Sequence, residues 1–203
     1  MKNIILAIAL LFPMLCRAQI TGVGKLKVGQ RLTVAQAYSL LADDIIAPPK
    51  VTFDLNHPDD STYAEIKGVY KEIGLEVNLT VFKKKLHSIR VTYASLDVDG
   101  AEDKVQVVRH EAFINSIVKK YGNGKVSETH TPYSCTGDKE QPTVYDNANI
   151  RRNWQSGSIV ATLIIRKQTN ALSNRCITSW GMNFAIVDEQ MNSSVNKFFR
   201  DIH

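Results

Sequence analysis

Several kinds of chemistry are excluded by what this chain has little of. Its one long apolar run, Ile4 to Leu15 interrupted only by Pro13, is too short and too weakly flanked to be a bilayer-spanning helix, so no stable membrane insertion is expected. Cysteine occurs three times in 203 residues and never as Cys-x-x-Cys, which removes thioredoxin-type redox chemistry. The five histidines, His57, His87, His110, His130 and His203, stand far apart, with no His-Glu-x-x-His, so no metal site is expected. No Gly-x-Ser-x-Gly occurs, since Gly157-Ser158 lacks the second glycine of a nucleophile elbow. The glycines near Lys125 follow a helical segment instead of opening one, the wrong polarity for a phosphate cradle. Adjacent acids, Asp43-Asp44 and Asp59-Asp60, fall in loop-like segments where they face water and not one another across a substrate. No catalytic centre and no cofactor are therefore expected.

Charge of one sign is also weak. The chain carries +5, of which Lys2 and Arg17 belong to the leader described next, leaving 5 − 2 = +3. The densest basic run, Lys83-Lys84-Lys85, sits between two strand-like segments and reads as a solvated hairpin turn. With no basic stripe interleaved with aromatics, a nucleic-acid partner is not expected.

What is present begins with an address. Lys2, the apolar run and the small residues around Cys16-Arg17-Ala18 form a secretory signal peptide over residues 1–18, with cleavage between Ala18 and Gln19. Cys16 is not read as a lipidation site, because Pro13-Met14-Leu15 lacks the small residue a lipoprotein peptidase requires. The protein is thus expected in the periplasm or outside the cell, with residues 19–203 as one domain. Cys135 and Cys176 remain as an even pair in an oxidising compartment and are expected to be bridged. The Asn-x-Ser/Thr triplets at Asn78 and Asn192 are too frequent by chance to mean eukaryotic secretion.

Periodicity gives the elements. Thr33 and Gln36 form a capping-box pair ahead of Val34, Ala37, Tyr38 and Leu41 on one helical face. From Tyr63 the period becomes two: Leu75, Val77, Leu79 and Val81, and then Ile89, Val91 and Tyr93, alternate with polar residues as in an antiparallel meander with one wet face. The longest helix follows Asp103, carries Val107, His110, Ile114, Ile117, Val118 and Tyr121 on one stripe, and ends at Gly122. Residues 123–153 lack a period and read as a long loop pinned by Cys135. Two further strands, Ile159 to Ile165 and Cys176 to Ile186, lead to a last helix capped by Asp188 with Met191, Val195, Phe198, Phe199 and Ile202 as its stripe.

The fold class is therefore α+β, an antiparallel sheet packed against helices, with a tandem helix-strand-strand order. That order resembles the small periplasmic proteins of the β-lactamase-inhibitor-protein-like architecture. The resemblance implies a sheet whose open face binds a protein and a chain without a catalytic centre, and it supplies no residue motif. The candidate binding residues come from the chain itself. Tyr133, Tyr145, Arg151, Arg152 and Trp154 are aromatic and guanidinium groups of the kind enriched at binding hot spots, and lie in or beside the disulfide-pinned loop. The expected function is non-catalytic recognition of another envelope or exterior protein, of an inhibitor or immunity type. An envelope assembly role and a hydrolase with a dispersed site are the alternatives.

Overall fold

The computed structural model describes residues 20–42, 50–53, 63–69, 75–96, 101–137, 141–172 and 174–202. The expected signal peptide over residues 1–18 and the adjacent acids Asp43-Asp44 and Asp59-Asp60 lie outside the described residues. A two-stranded hairpin, β1 (Gly22–Val23) and β2 (Leu26–Lys27), leads into α1 (Val34–Ala42). Then come β3 (Lys50–Phe53), β4 (Tyr63–Val69), β5 (Glu76–Phe82) and β6 (Lys85–Leu96), the helix α2 (Ala101–Tyr121), β7 (Lys125–Cys135), β8 (Thr143–Ser156), β9 (Ile159–Leu172), β10 (Arg175–Asp188) and α3 (Glu189–Ile202). The eight strands β3 to β10 form one antiparallel sheet in the order β3-β4-β5-β6-β10-β9-β8-β7, so two four-stranded meanders meet at β6 and β10. This is the expected antiparallel α+β class.

Local chemistry explains where the elements start and turn. The Thr33 backbone N–H donates to Gln36 Oε1 at 2.9 Å, and the Gln36 N–H donates to Thr33 Oγ1 at 3.2 Å, a reciprocal capping box. Asp188 Oδ1 accepts from the Gln190 and Met191 N–H groups at 3.0 and 3.4 Å and caps α3. The expected lysine turn joins β5 to β6 with Phe82 opposite Lys85, and both central residues, Lys83 and Lys84, have positive φ. Gly122 closes α2 at φ 77°, its N–H returning to the Val118 carbonyl.

Strand register sorts the side chains into two faces. Ile66, Leu79, Ile89, Ile186, Ala161 and Trp154 are successive cross-strand partners from β4 to β8 and form a continuous buried row. The next row contains Val77, Val91, Phe184 and Leu163, all fully buried. Each such side chain contributes roughly 1.5–3 kcal/mol by leaving water. On this face lie Ala37 and Leu41 of α1, and His110, Phe113, Ile114 and Ile117 of α2. The His110 ring is fully buried against Tyr93, centroids 3.6 Å apart, and lies parallel to Trp180, as its place on the apolar stripe implied.

One expected element is corrected. Residues 123–153 are not a loop: β7 and β8 pair from Lys125–Asn153 to Cys135–Thr143. Strand β7 is exposed along almost its whole length and β8 is mostly polar, so neither carries the apolar half of an alternating pattern. A strand wet on both faces leaves no period-two signal. Similarly, the second helix is followed by four strands where two were expected.

The Cys135–Cys176 disulfide is present, with Cα atoms 6.0 Å apart. Its cysteines end β7 and begin β10, three strands away in the sheet order, or about 14 Å if the strands were coplanar. The β7–β8 tip therefore leaves the plane. Pairing of β8 with β9 stops at Ala148–Lys167, and beyond it Asn147 replaces the ladder, its Oδ1 accepting from the Thr169 N–H at 2.7 Å. The Tyr133 hydroxyl accepts from the Ala171 N–H at 3.2 Å, and Thr169 and Thr178 share a buried 2.9 Å hydroxyl contact. Two hairpin tips are thus folded against each other and bolted by the disulfide.

Candidate functional site

The second face of the sheet is the candidate site. At the β4–β5 end α3 covers it: Phe199 meets Tyr63 edge-on at 4.7 Å, Phe198 meets Phe82 at 5.8 Å, and Val195 is buried. Beneath the helix, burial first and then the hydrogen bond to Glu65 raise the Tyr63 hydroxyl above its ordinary range. Toward β7 the face is open. Register places Thr92, Asn183, Ile164, Arg151 and Ser127 in one row and Gly181, Arg166, Asn149 and Thr129 in the next. Two shallow grooves share Arg166 as a wall. One of about 450 Å³ lies over Thr129, Asn147, Asn149 and Gln168, and one of about 270 Å³ lies over Thr92, Ile164 and Asn183. Asn153 Oδ1 accepts from Arg151 Nε at 3.3 Å and from Thr162 Oγ1 at 3.0 Å, which orients the Arg151 fork. Among the described residues, no carboxylate forms an ion pair with Arg151 or Arg166.

The five candidate residues named from the sequence do not form one patch. Tyr133 and Tyr145 are register partners at the hairpin tip, both half-buried, and the Tyr133 hydroxyl is engaged by β9. Arg151 lies on the open face, in the row of Ile164 and Ser127. Arg152, one residue on, points to the opposite face and donates to the Asn123 carbonyl at 3.2 Å. Trp154 is a core residue: it is 8 % exposed, packs edge-to-face on Phe184 and donates from Nε1 to the Gly122 carbonyl at 2.9 Å. Gly124 has to lack a Cβ, which would lie 2.8 Å from the Trp154 ring. The residues that sequence reasoning missed are Arg166, Asn149, Thr129 and Ile164. For Ile164 and Arg166 the signal was in the chain, as even positions of β9 between the apolar odd ones, whereas Asn149 and Thr129 lie on β8 and β7, which carry no such alternation.

A second polar cluster sits at the β7–β8 edge. His130 Nδ1 lies 2.7 Å from Asp146 Oδ2 and its Nε2 lies 2.7 Å from Glu128 Oε1. These two hydrogen bonds, Glu128 first, raise the His130 pKa. With a carboxylate on each ring nitrogen, neither nitrogen is free to take a proton from a substrate. Among the described residues no three His, Cys, Asp or Glu side chains are grouped to hold a metal ion, and no helix is long and apolar enough to cross a membrane. Compared with known protein families, curated proteins and solved structures, the chain matches none.

Proposed function

We propose that this protein is a secreted or periplasmic recognition module without catalytic activity, of an inhibitor or immunity type, which seats another protein of the envelope or exterior on its open sheet face. The observation that carries this reading is the pair of exposed guanidiniums, Arg151 and Arg166. Among the described residues no acid pairs with them, and they are framed by hydroxyl and amide groups with Ile164 half-buried between them. Arginine on a rigid strand loses little freedom on binding and presents a planar fork to a partner's carboxylate or carbonyl. The opposite face is already filled by α1 and α2, so docking here disturbs no core contact.

Two further points support the reading. The order of one helix followed by four antiparallel strands, twice in a single sheet, suits a tandem repeat and the β-lactamase-inhibitor-protein-like resemblance. The disulfide and the leader-like residues 1–18 suit an oxidising compartment reached by export. In the test, the protein from Gln19 onward captures its partner from its own envelope. Affinity is then measured for Arg151→Glu and Arg166→Glu. Each reversal should weaken binding by about 2 kcal/mol or more without lowering Tm. Unchanged affinity in both folded variants would overturn the assignment of this face, and a hydrolytic activity lost on His130→Ala would overturn the non-catalytic reading.

A further inference from the structure

Strand β7 ends the sheet, and the main-chain groups on its outer side meet no partner strand among the described residues. Which groups these are follows from its neighbours. In β9 the Thr169 N–H turns toward β8, to Asn147, and the Ala171 N–H turns the same way, to Tyr133. The Gln168 carbonyl turns toward β10, where Ser179 donates to it. Odd residues of β9 therefore bond β8, making Lys167–Ala148 and Ile165–Ile150 the hydrogen-bonded pairs. Alternation then gives the odd residues of β8 to β7, through Asn149–Thr129 and Arg151–Ser127. Val126, Glu128, His130 and Pro132 are left facing outward. Pro132 fits this assignment, because a proline is tolerated in an edge strand only where its missing N–H costs no ladder bond.

Lys125 and Pro132 are residues that guard edges against uncontrolled pairing, and here they stand at the two ends of a short window. Inside it, Val126, Glu128 and His130 each offer an outward N–H and C=O. We infer that this window pairs antiparallel with the same window of a second copy, about a two-fold axis through Thr129, joining two sheets edge to edge. In that register Glu128 of each copy lies opposite His130 of the other, carboxylate to imidazole on both sides of the axis. An axis through Glu128 would oppose two carboxylates, and one through His130 two imidazoles, which disfavours both. Val126 falls opposite Pro132, where its N–H still finds a carbonyl, and the proline ends the ladder. This occupant is a copy of the chain and leaves the open face uncovered, so it is independent of the recognition site.

The register makes a test that a chance encounter does not mimic. Thr129 meets its own copy as a non-hydrogen-bonded pair, with Cα atoms about 4.5 Å apart, inside the range of roughly 4.4–6.8 Å that a disulfide spans. Under mild oxidation, Thr129→Cys should give a covalent dimer. Ser127→Cys and Thr131→Cys should each stay unlinked alone, because each faces the other position, and should link when combined. By sedimentation, the unmodified chain should self-associate. Glu128→Pro removes an outward N–H, as Pro132 does, together with the carboxylate that faces His130, and should weaken association at least about tenfold while keeping the Cys135–Cys176 bond and the circular dichroism of the parent. Arg166→Glu should leave it unchanged. A parent chain that is monomeric up to its solubility limit, equal crosslinking from positions 127, 129 and 131, or a folded Glu128→Pro that dimerises as well as the parent would each overturn the inference.

Discussion

At the scale of single residues, His87 and Trp154 show how burial assigns roles that residue type does not. His87 is the extra residue of the irregularity between Thr80–Ser88 and Val81–Leu86, is 5 % exposed, and has no hydrogen-bond partner for either ring nitrogen. Burial lowers its pKa below the ordinary value, against a smaller opposing pull from Asp188. The folded state therefore binds a proton less readily than the unfolded chain. Stability from this residue is complete above the unfolded value of about 6.5 and is lost as pH falls below it. Chemical denaturation of the parent and of His87→Leu should diverge between neutral and mildly acidic buffer, with the leucine variant holding its stability better in acid. Equal acid sensitivity would place the titrating group elsewhere. His130 has the opposite sign: its raised pKa makes its contribution present at low pH and lost as pH rises through the folded value. Trp154, buried on Phe184 and bonded to Gly122, should cost about 3–5 kcal/mol as Trp154→Ala by urea denaturation. A loss under 1 kcal/mol would contradict its core role.

At the scale of elements, the β5–β6 turn is where local chemistry is least suited to its conformation. A two-residue hairpin turn with both φ angles positive suits Asn-Gly, yet Lys83 and Lys84 hold φ of 48° and 57°. The Leu86 N–H donates to the Gln30 carbonyl, the Gly29 N–H to the Leu86 carbonyl, and the Leu32 N–H to the Lys84 carbonyl, so the segment before α1 grips this turn from outside. Lys84→Gly should relieve the left-handed conformation and stabilise the fold by up to about 1 kcal/mol, read as a rise in Tm. A fall in Tm would show that the lysine side chain outweighs the backbone cost. Helix α3 follows the opposite logic: Asp188 starts it as its cap, but Tyr63 and Phe82 on distant strands give its aromatic stripe a place to lie.

At the scale of the whole molecule, the disulfide couples the sheet's outermost strand to its centre. In the chain-entropy account, closing a span of 41 residues stabilises the fold by roughly 4 kcal/mol. Replacing both cysteines by serine should lower stability by up to about that amount. Hydrogen exchange should show first where the change is felt: at Thr131 to Cys135 and Thr143 to Asn147, where β8 no longer pairs with β9, before β4, β5 or β6. Uniform loss of protection across the sheet would instead mean that the bridge holds the fold globally and not the hairpin tips.

What the sequence determined by itself was whatever rests on neighbours in the chain. The Thr33–Gln36 box, the Asp188 cap, the lysine turn and the Gly122 stop are contacts within a few residues, and the alternation from Leu75 to Tyr93 reports a strand with one dry face. With Cys16 in the expected leader, Cys135 and Cys176 were left as one expected pair, and they are bridged. Tertiary structure decided the rest. Strands β7 and β8 gave no period because an edge wet on both sides has no apolar half to repeat, so their pairing depends on β9 and not on their own residues. Arg151 and Arg152 are indistinguishable in sequence, and a strand must send them to opposite faces, but which face is covered depends on where α2 packs. For the same reason Trp154 became core and Arg166 an exposed wall of two grooves: burial belongs to the position a residue reaches in the sheet, and register is set between strands far apart in the chain.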